Sequence, residues 1–173
     1  MKIVLSFVGV LVLLVAVVVV IGMLLPKRHV ASRSAVIQAT PERLFALISG
    51  SQMWRPEVKS CELIEKDGKH FQRETSQRGE TVLYELQGSK PSLAIERRIA
   101  SENLPYGGKW SFTLEPVNGE ANQETRVRIT EDGEVYNPVF RFVSRFVMGH
   151  TATLDAYLKA LGKAVGQDVR IEN

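Results

Sequence analysis

The apolar run at the N-terminus constrains this chain more than any other feature. Ile3 to Leu25 contains 23 residues without a charged side chain. As a helix this run would be about 35 Å long, and the hydrocarbon core of a bilayer is about 30 Å thick. A helix also satisfies every backbone polar group internally, as lipid requires. The sequence therefore predicts a transmembrane anchor over residues 1–26, in contact with the membrane through residues 3–25, followed by one domain over residues 27–173.

A cleaved signal peptide is the alternative interpretation of the same run. Signal peptides have an apolar region of about 7–15 residues and a cleavage site of the Ala-x-Ala type. This run is longer, and the residues that follow it, Leu24-Leu25-Pro26-Lys27, contain no such site. We therefore predict a retained, single-pass anchor in the cell membrane.

The charges on either side of the run bear on its orientation. Lys2 and the N-terminus precede it, whereas Lys27, Arg28 and Arg33 follow it. Because cytoplasmic flanks carry an excess of Lys and Arg, this distribution favours a cytoplasmic domain. The difference is only one or two charges, so an exported domain is the alternative.

Composition excludes several classes of protein. Cys61 is the one cysteine, so the chain has neither an internal disulfide nor a Cys-based zinc or iron–sulfur site. The net charge is +3 and the basic residues are scattered, so no nucleic-acid partner is predicted. The sequence lacks a metal-ligand cluster, a P-loop, a nucleophile elbow and a dinucleotide fingerprint. We predict no metal and no cofactor, and we assign no catalytic residue.

The rest of the chain predicts an α+β domain. Val30–Gln38 is typical of a strand, and Thr40 and Pro41 then form the N-cap and first position of a short helix that ends at Gly50. Six more strands are predicted, at Val58–Lys66, Lys69–Gln77, Glu80–Gln87, Ser92–Ile99, Lys109–Val117 and Glu124–Glu131. Turn signals separate several of them, at Asp67-Gly68, Asn118-Gly119 and Asp132-Gly133. Short strands joined by tight turns indicate an antiparallel meander.

A long amphipathic helix is predicted at the C-terminus. Pro138 begins it, and apolar residues recur at spacings of three and four up to about Val165. We expect this helix to pack against the concave face of the curved sheet. The small-molecule hypothesis below depends on that packing.

The order of these elements resembles the START-like, or SRPBCC, superfamily, which includes polyketide cyclases and dehydrases, Bet v 1-like proteins and START domains. The similar segments are Ala39–Phe45, Trp54–Pro56, Leu104–Trp110, Thr125–Glu131 and Tyr136–Phe142. The resemblance covers about residues 30–166. It implies the helix-grip fold, with an internal cavity between the sheet and the C-terminal helix that binds lipids, sterols, polyketides or other hydrophobic molecules. It defines a scaffold and not an activity.

Aromatic residues and one histidine are the candidates for the cavity lining. The aromatic candidates are Tyr84, Trp110 and Phe112 from the sheet and Phe142, Phe146 and Tyr157 from the helix. For these residues, ordinary core packing is the alternative. His150 lies on the apolar face of the helix, where it either contacts a ligand or is a hydrogen-bonded core residue. His29 is expected at the basic membrane flank.

Two groups of charged residues require a separate interpretation. Arg97 shares one face of its predicted strand with Ile95 and Ile99. If that face is internal, Arg97 needs an anionic ligand or a partner such as Glu74 or Glu85. We favour the alternative, in which a bulge or strand end turns Arg97 to solvent. The acidic residues around Asp132-Gly133 are expected to be solvated, at Glu131, Asp132 and Glu134.

Three hypotheses of function follow. The leading one is a membrane-anchored START-like domain that binds a hydrophobic or lipid-like small molecule without catalysis. The second is a cyclase- or dehydrase-type enzyme, which requires polar groups such as Tyr84, Arg97 and His150 to converge. The third is a membrane-tethered module with a vestigial cavity that binds a protein partner through an apolar patch near Val139 and Phe140.

Overall fold

The computed structural model describes residues 2–89, 93–117 and 123–173. The predicted apolar helix is present as α1, Lys2–Leu24. Its segment Ser6–Leu24 is long and apolar enough to cross a membrane, and little of that segment is covered by the rest of the chain. By length and composition, α1 fits either a membrane span or a signal sequence.

Seven antiparallel strands form one curved, open sheet. The strands are β1 Arg28–Ile37, β2 Val58–Lys66, β3 Lys69–Ser76, β4 Thr81–Ser89, β5 Ala94–Ile99, β6 Tyr106–Pro116 and β7 Thr125–Val135. Their order in the sheet is β1-β7-β6-β5-β4-β3-β2. Strands β2 to β7 follow one another as neighbours, which confirms the predicted meander, and β1 completes the sheet beside β7. The predicted turn at Asn118-Gly119 lies outside the described residues.

The predicted turn at Asp132-Gly133 is wrong. Strand β7 continues to Val135, and Gly133 lies opposite His29 of β1 and Gly108 of β6. An Asp-Gly pair indicates a turn only where the chain reverses, and here the ladders on both sides continue through it. Gly133 instead leaves room for the imidazole of His29, because a Cβ there would lie 2.5 Å from Cε1 of that ring and the ring would have to shift.

The short helix after β1 forms as predicted. Helix α2, Pro41–Ser49, begins after Thr40, whose side chain accepts a hydrogen bond from the backbone N–H of Arg43. At its other end, Gln52 is buried and its amide donates to the carbonyl of Ile48 at 2.8 Å. This bond satisfies a helix-terminal carbonyl and holds Gln52 beside the core.

The predicted long C-terminal helix is interrupted. Helix α3, Pro138–Val143, continues into a π-helical turn, Ser144–Met148, and a separate helix α4 covers Ala152–Ala164. Gly149 has a φ of 75° between them, a conformation that side-chain-bearing residues rarely adopt, so the helix ends there.

Only α4 occupies the place expected for the whole helix. It buries Leu154, Leu158 and Leu161 in the core with Phe112 and Ile129 of the sheet. Helix α3 packs against α1 instead. The α+β helix-grip fold is therefore confirmed, with a gripped helix half as long as the amphipathic pattern predicts.

Candidate functional site

A cavity of about 620 Å³ lies between the sheet and the first turns of α4. Strands β4 to β7 and the start of β1 form its walls. The rest of the lining comes from Arg55 and Glu57, which precede β2, and from Ala152, Thr153 and Ala156 of α4. The small side chains on α4 leave this volume open where larger ones would fill it.

Four residues at one part of this site form what we call the arginine cluster: Arg55, Glu74, Tyr84 and Arg97. Glu74 accepts hydrogen bonds from Arg97 and, at 3.0 Å, from Nη1 of Arg55. The guanidinium of Arg97 lies over the ring of Tyr84, 4.4 Å from its centroid. Burial raises the pKa of Tyr84 to about 12, so its hydroxyl stays protonated at neutral pH.

The expectation that Arg97 turns to solvent is wrong. Its side chain is 3% exposed, and the alternation of β5 continues without a bulge to Ile99. Glu74 is its partner, whereas Glu85 pairs with Lys69 on the surface. A buried charge needs compensation, and Glu74 supplies it from β3, which is separated from β5 by β4.

The Nε–H group of Arg97 is a hydrogen-bond donor that the ion pair with Glu74 does not use. Within the part of the chain that the structure describes, its buried Nε has no hydrogen-bond partner. Buried polar groups are nearly always paired in folded proteins. Arg97 also lines the cavity, and a guanidinium there favours an acceptor oxygen on a ligand.

A second group of polar residues, the histidine cluster, consists of His29, Glu131 and His150. The two imidazole rings stack with their centroids 4.1 Å apart. Oε1 of Glu131 lies 3.7 Å from Nε2 of His29, which is longer than a hydrogen bond. Both His29 and Glu131 line the cavity.

Burial shifts the pKa values of this cluster. It lowers the pKa of His29. It also lowers the pKa of His150, and the nearby charges of His29 and Arg145 lower it further. It raises the pKa of Glu131, although a hydrogen bond from Trp110 opposes that rise. All three groups therefore favour their neutral forms more than they would in water.

Aromatic residues of the core pack against the residues that form the cavity wall. Tyr157 is 1% exposed, and its hydroxyl donates to Oε1 of Gln52 at 3.0 Å. Its ring lies 5.2–5.5 Å from those of Trp54, Phe112 and Trp110. These contacts fix the position of Trp110, which lines the cavity.

The structure thus separates the predicted site residues into three groups. Tyr84, Arg97 and Trp110 line the cavity, and Phe112 and Tyr157 lie in the core. His150 stacks on the cavity-lining His29, and it does not join Tyr84 and Arg97 in the arginine cluster.

Phe142 and Phe146 are placed elsewhere. Their rings contact each other at 5.0 Å, on α3 and the π-helical turn, and Phe146 is 60% exposed. Because the helix is interrupted before α4, these residues do not line the cavity between α4 and the sheet. The predicted inward orientation of Phe146 is therefore wrong, and the half-buried Phe142 is not among the residues that line this cavity. Among the described residues, no group of three His, Cys, Asp or Glu is suited to hold a metal ion.

Comparison with known protein families shows to which family the chain belongs. Residues 28–165 match the family described as polyketide cyclase/dehydrase and lipid transport. The chain belongs to this family. A comparison with curated proteins gave no match.

Solved structures of other proteins share the fold of this chain. A START superfamily protein from Mycobacterium smegmatis has a TM-score of 0.59 at 19% identity, over 79% of this chain and 97% of the other. Norcoclaurine synthase from Thalictrum flavum, in complex with dopamine and hydroxybenzaldehyde, has a TM-score of 0.58 at 14% identity, over 80% and 86%. The di-domain ARO/CYC BexL of the BE-7585A biosynthetic pathway has a TM-score of 0.65 at 13% identity, over 79% and 46%. At these identities the similarity extends to the fold alone.

Two cavity-lining residues are absent from the site predicted from sequence. His29 is assigned from sequence to the membrane flank, and Glu131 to a solvated turn, yet both line the cavity. A signal for Glu131 is present, because Val127, Ile129 and Glu131 alternate along β7 and therefore share one face.

Proposed function

We propose that this chain is a single-pass membrane protein whose family domain lies on the cytoplasmic side and binds an amphipathic, lipid-like small molecule without covalent chemistry. The observation that carries the proposal is the cavity of about 620 Å³ that is lined by a buried arginine with an unpartnered N–H. Cavities of about 300–1,000 Å³ are typical of small-molecule sites.

The two polar clusters define the chemistry of such a ligand. Arg97 offers a charged donor, which favours a carbonyl, carboxylate or phosphate oxygen. Trp110 and Ile99 line the cavity with apolar surface that accepts a hydrocarbon or aromatic body. A molecule with one polar end and an apolar body fits both requirements.

The anchor supports the membrane as the source of the ligand. Helix α1 has the length and composition of a span and leads within a few residues into β1, whose His29 lines the cavity. Tethering keeps the cavity at a high effective concentration relative to membrane-resident molecules. The open cavity also favours small-molecule binding over the alternative of an interaction module with a vestigial cavity.

The test is to identify molecules that co-purify with the full-length chain. Wild-type protein and the Ala156→Trp variant are purified in the same detergent, extracted with organic solvent and compared by mass spectrometry. Ala156 lines the cavity, so an indole there occupies part of its volume. We expect one class of amphipathic molecule, near one per chain in the wild type, to be lost from the variant.

The comparison contains its own controls. Lipids bound around α1 should be present in both extracts, so they do not contribute to the difference between wild type and variant. Lys159→Trp places the same side chain on an exposed position of α4 away from the cavity, and it should retain the molecule. Equal retention by wild type and Ala156→Trp, with both folded by circular dichroism, contradicts the proposal.

A cyclase- or dehydrase-type enzyme is the second candidate function. The histidine cluster favours it, since Glu131 and His29 lie within 3.7 Å of each other in the cavity and both favour neutral forms. Such chemistry needs one group that gives a proton and another that accepts it.

The Glu131→Gln variant distinguishes catalysis from binding. A catalytic Glu131 predicts that the variant co-purifies with a different molecule, the unreacted substrate, which wild-type protein then converts. If both proteins carry the same molecule, binding without catalysis is supported.

A further inference from the structure

Helix α3 is attached to the last turns of α1. The backbone of Pro138 packs directly on Gly22, where any Cβ would collide with the Pro138 carbonyl. Arg141 is 7% exposed, and its guanidinium donates to the carbonyl oxygens of Leu25 at 3.0 Å and Tyr136 at 3.1 Å. Because Arg141 satisfies a carbonyl at the end of α1, the two helices are held in one arrangement.

Next to this contact, α3 and the π-helical turn expose a group of large apolar side chains. We call this group the α3 patch; it consists of Val139, Phe140, Phe146 and Val147, which are 41%, 54%, 60% and 72% exposed. Exposed apolar groups of this size indicate an interaction surface. In α1, the neighbouring Met23 and Leu24 are 65% and 82% exposed, so the apolar surface continues from one helix to the other.

The charges within the segment that carries the patch are of one sign. Between Asn137 and His150 the chain contains no Asp or Glu, and its two charged residues are Arg141 and Arg145. Arg145 is exposed, whereas Arg141 is occupied by α1. An apolar surface edged by a cation fits the headgroup boundary of an anionic leaflet.

We infer that the α3 patch inserts into the interfacial layer of the same bilayer that α1 spans, as a second membrane contact of the domain. The inference rests on the anchor of the proposed function. Gly22, which contacts Pro138, lies about 5 Å along the helix axis from Leu25. A bilayer that surrounds α1 to Leu24 therefore also covers α3 beside it, at the depth of about 5–10 Å that is typical of interfacial helices.

This second contact sets the position of the cavity relative to the membrane. Val135 lines the cavity, and its N–H donates to the carbonyl of Lys27 at 2.8 Å, two residues beyond Leu25. One end of the cavity therefore adjoins the membrane end of the domain. Two attachments, α1 and the α3 patch, prevent the domain from rotating away, so a ligand passes between bilayer and cavity over a short distance.

The experiment measures the environment of single labelled positions in full-length protein. In a Cys61→Ser background, the variants Phe140→Cys, Phe146→Cys, Leu63→Cys and Val12→Cys are each labelled with the fluorophore NBD. The proteins are reconstituted into vesicles of phosphatidylcholine and phosphatidylglycerol, with and without doxyl-labelled lipid as quencher. Leu63 is the matched control, because it is 55% exposed and Phe140 is 54% exposed, but Leu63 lies on β2 at the opposite edge of the sheet from β1.

We expect the labels at Phe140→Cys and Phe146→Cys to emit at shorter wavelength than the label at Leu63→Cys, and to be quenched by lipid doxylated near the headgroup. The label at Val12→Cys should be quenched by lipid doxylated deep in the chain. If Val12→Cys is quenched while the two patch labels behave like Leu63→Cys, the anchor stands and the inference is overturned. If Val12→Cys is unquenched, the anchor of the proposed function is overturned together with the inference.

Discussion

Arg97 and Glu74 form an ion pair in which the side chains are 3% and 7% exposed. The two residues are not equivalent in this pair. Glu74 also accepts from Arg55 at 3.0 Å, so the carboxylate balances two guanidinium groups, whereas among the described residues Arg97 has Glu74 as its acidic partner. The carboxylate is therefore the centre of the arginine cluster, and the cavity wall depends on it.

Replacing Glu74 should destabilise the protein more than replacing Arg97. Glu74→Gln leaves the buried Arg97 without a carboxylate and Arg55 with only Glu57, and breaking a buried pair in this way costs about 3–5 kcal/mol. Arg97→Met removes the charge but keeps a side chain of similar length, and Glu74 keeps its hydrogen bond from Arg55. Denaturant unfolding of the full-length chain in detergent measures both losses of free energy. A larger loss for Arg97→Met than for Glu74→Gln would contradict this assignment.

The histidine cluster should make the fold sensitive to acid. Burial lowers the pKa of His29 and His150 below the ordinary value of 6.5, so the folded state binds fewer protons than the unfolded state. The neutral imidazoles contribute their full stability above pH 6.5, the pKa of the unfolded state. This stability is lost as the pH falls from 6.5 towards the lower pKa of the folded state.

The melting temperature as a function of pH tests this effect. We expect the wild-type melting temperature to fall below pH 6.5, and the fall to be smaller in His150→Gln, which removes one titrating group and its repulsion of protonated His29. His70→Gln is the matched control, because His70 is exposed on β3. An identical fall in wild type and His150→Gln excludes His150 as a cause.

The contact between α1 and α3 should tolerate no side chain at Gly22. Gly22→Leu forces the two helices apart, since even a Cβ would collide with the Pro138 carbonyl. Gly9→Leu is the control in the same helix, because no atom lies within 4 Å of a Cβ at Gly9. We expect protease cleavage near α3 to be faster in Gly22→Leu than in wild type and unchanged in Gly9→Leu. Equal cleavage of all three proteins would show that the contact does not hold α3 in place.

The sequence predicts the scaffold better than the site, for physical reasons that particular residues show. Alternation and turn residues locate β2 without error and each other strand to within a few residues, because each strand buries one face. Local signals fail where a residue has a tertiary role. Gly133 resembles a turn glycine but makes room for His29, and Gly149 interrupts an amphipathic pattern that by itself predicts a continuous helix.

Charged site residues escape prediction for a related reason. The sequence shows that Arg97 and Glu131 alternate with apolar residues, but it does not show the partner that makes burial possible. For Arg97 that partner is Glu74, 23 positions away along the chain. Glu131 is compensated instead by a raised pKa and a hydrogen bond from Trp110.

The space left by Gly133 should control the proton affinity of His29. In Gly133→Ala the new Cβ would lie 2.5 Å from Cε1 of His29, so the imidazole must move away from the wall of β7. A displaced ring is better hydrated, and its pKa should rise towards 6.5 because burial is the main cause of its depression. Titration of the His29 ring signals by NMR measures the shift. Gly88→Ala is the matched control, since its Cβ would lie 3.2 Å from a ring atom of Phe45 and near neither histidine. An unchanged pKa of His29 in Gly133→Ala would show that the stacked position on His150, and not the space at Gly133, determines its burial.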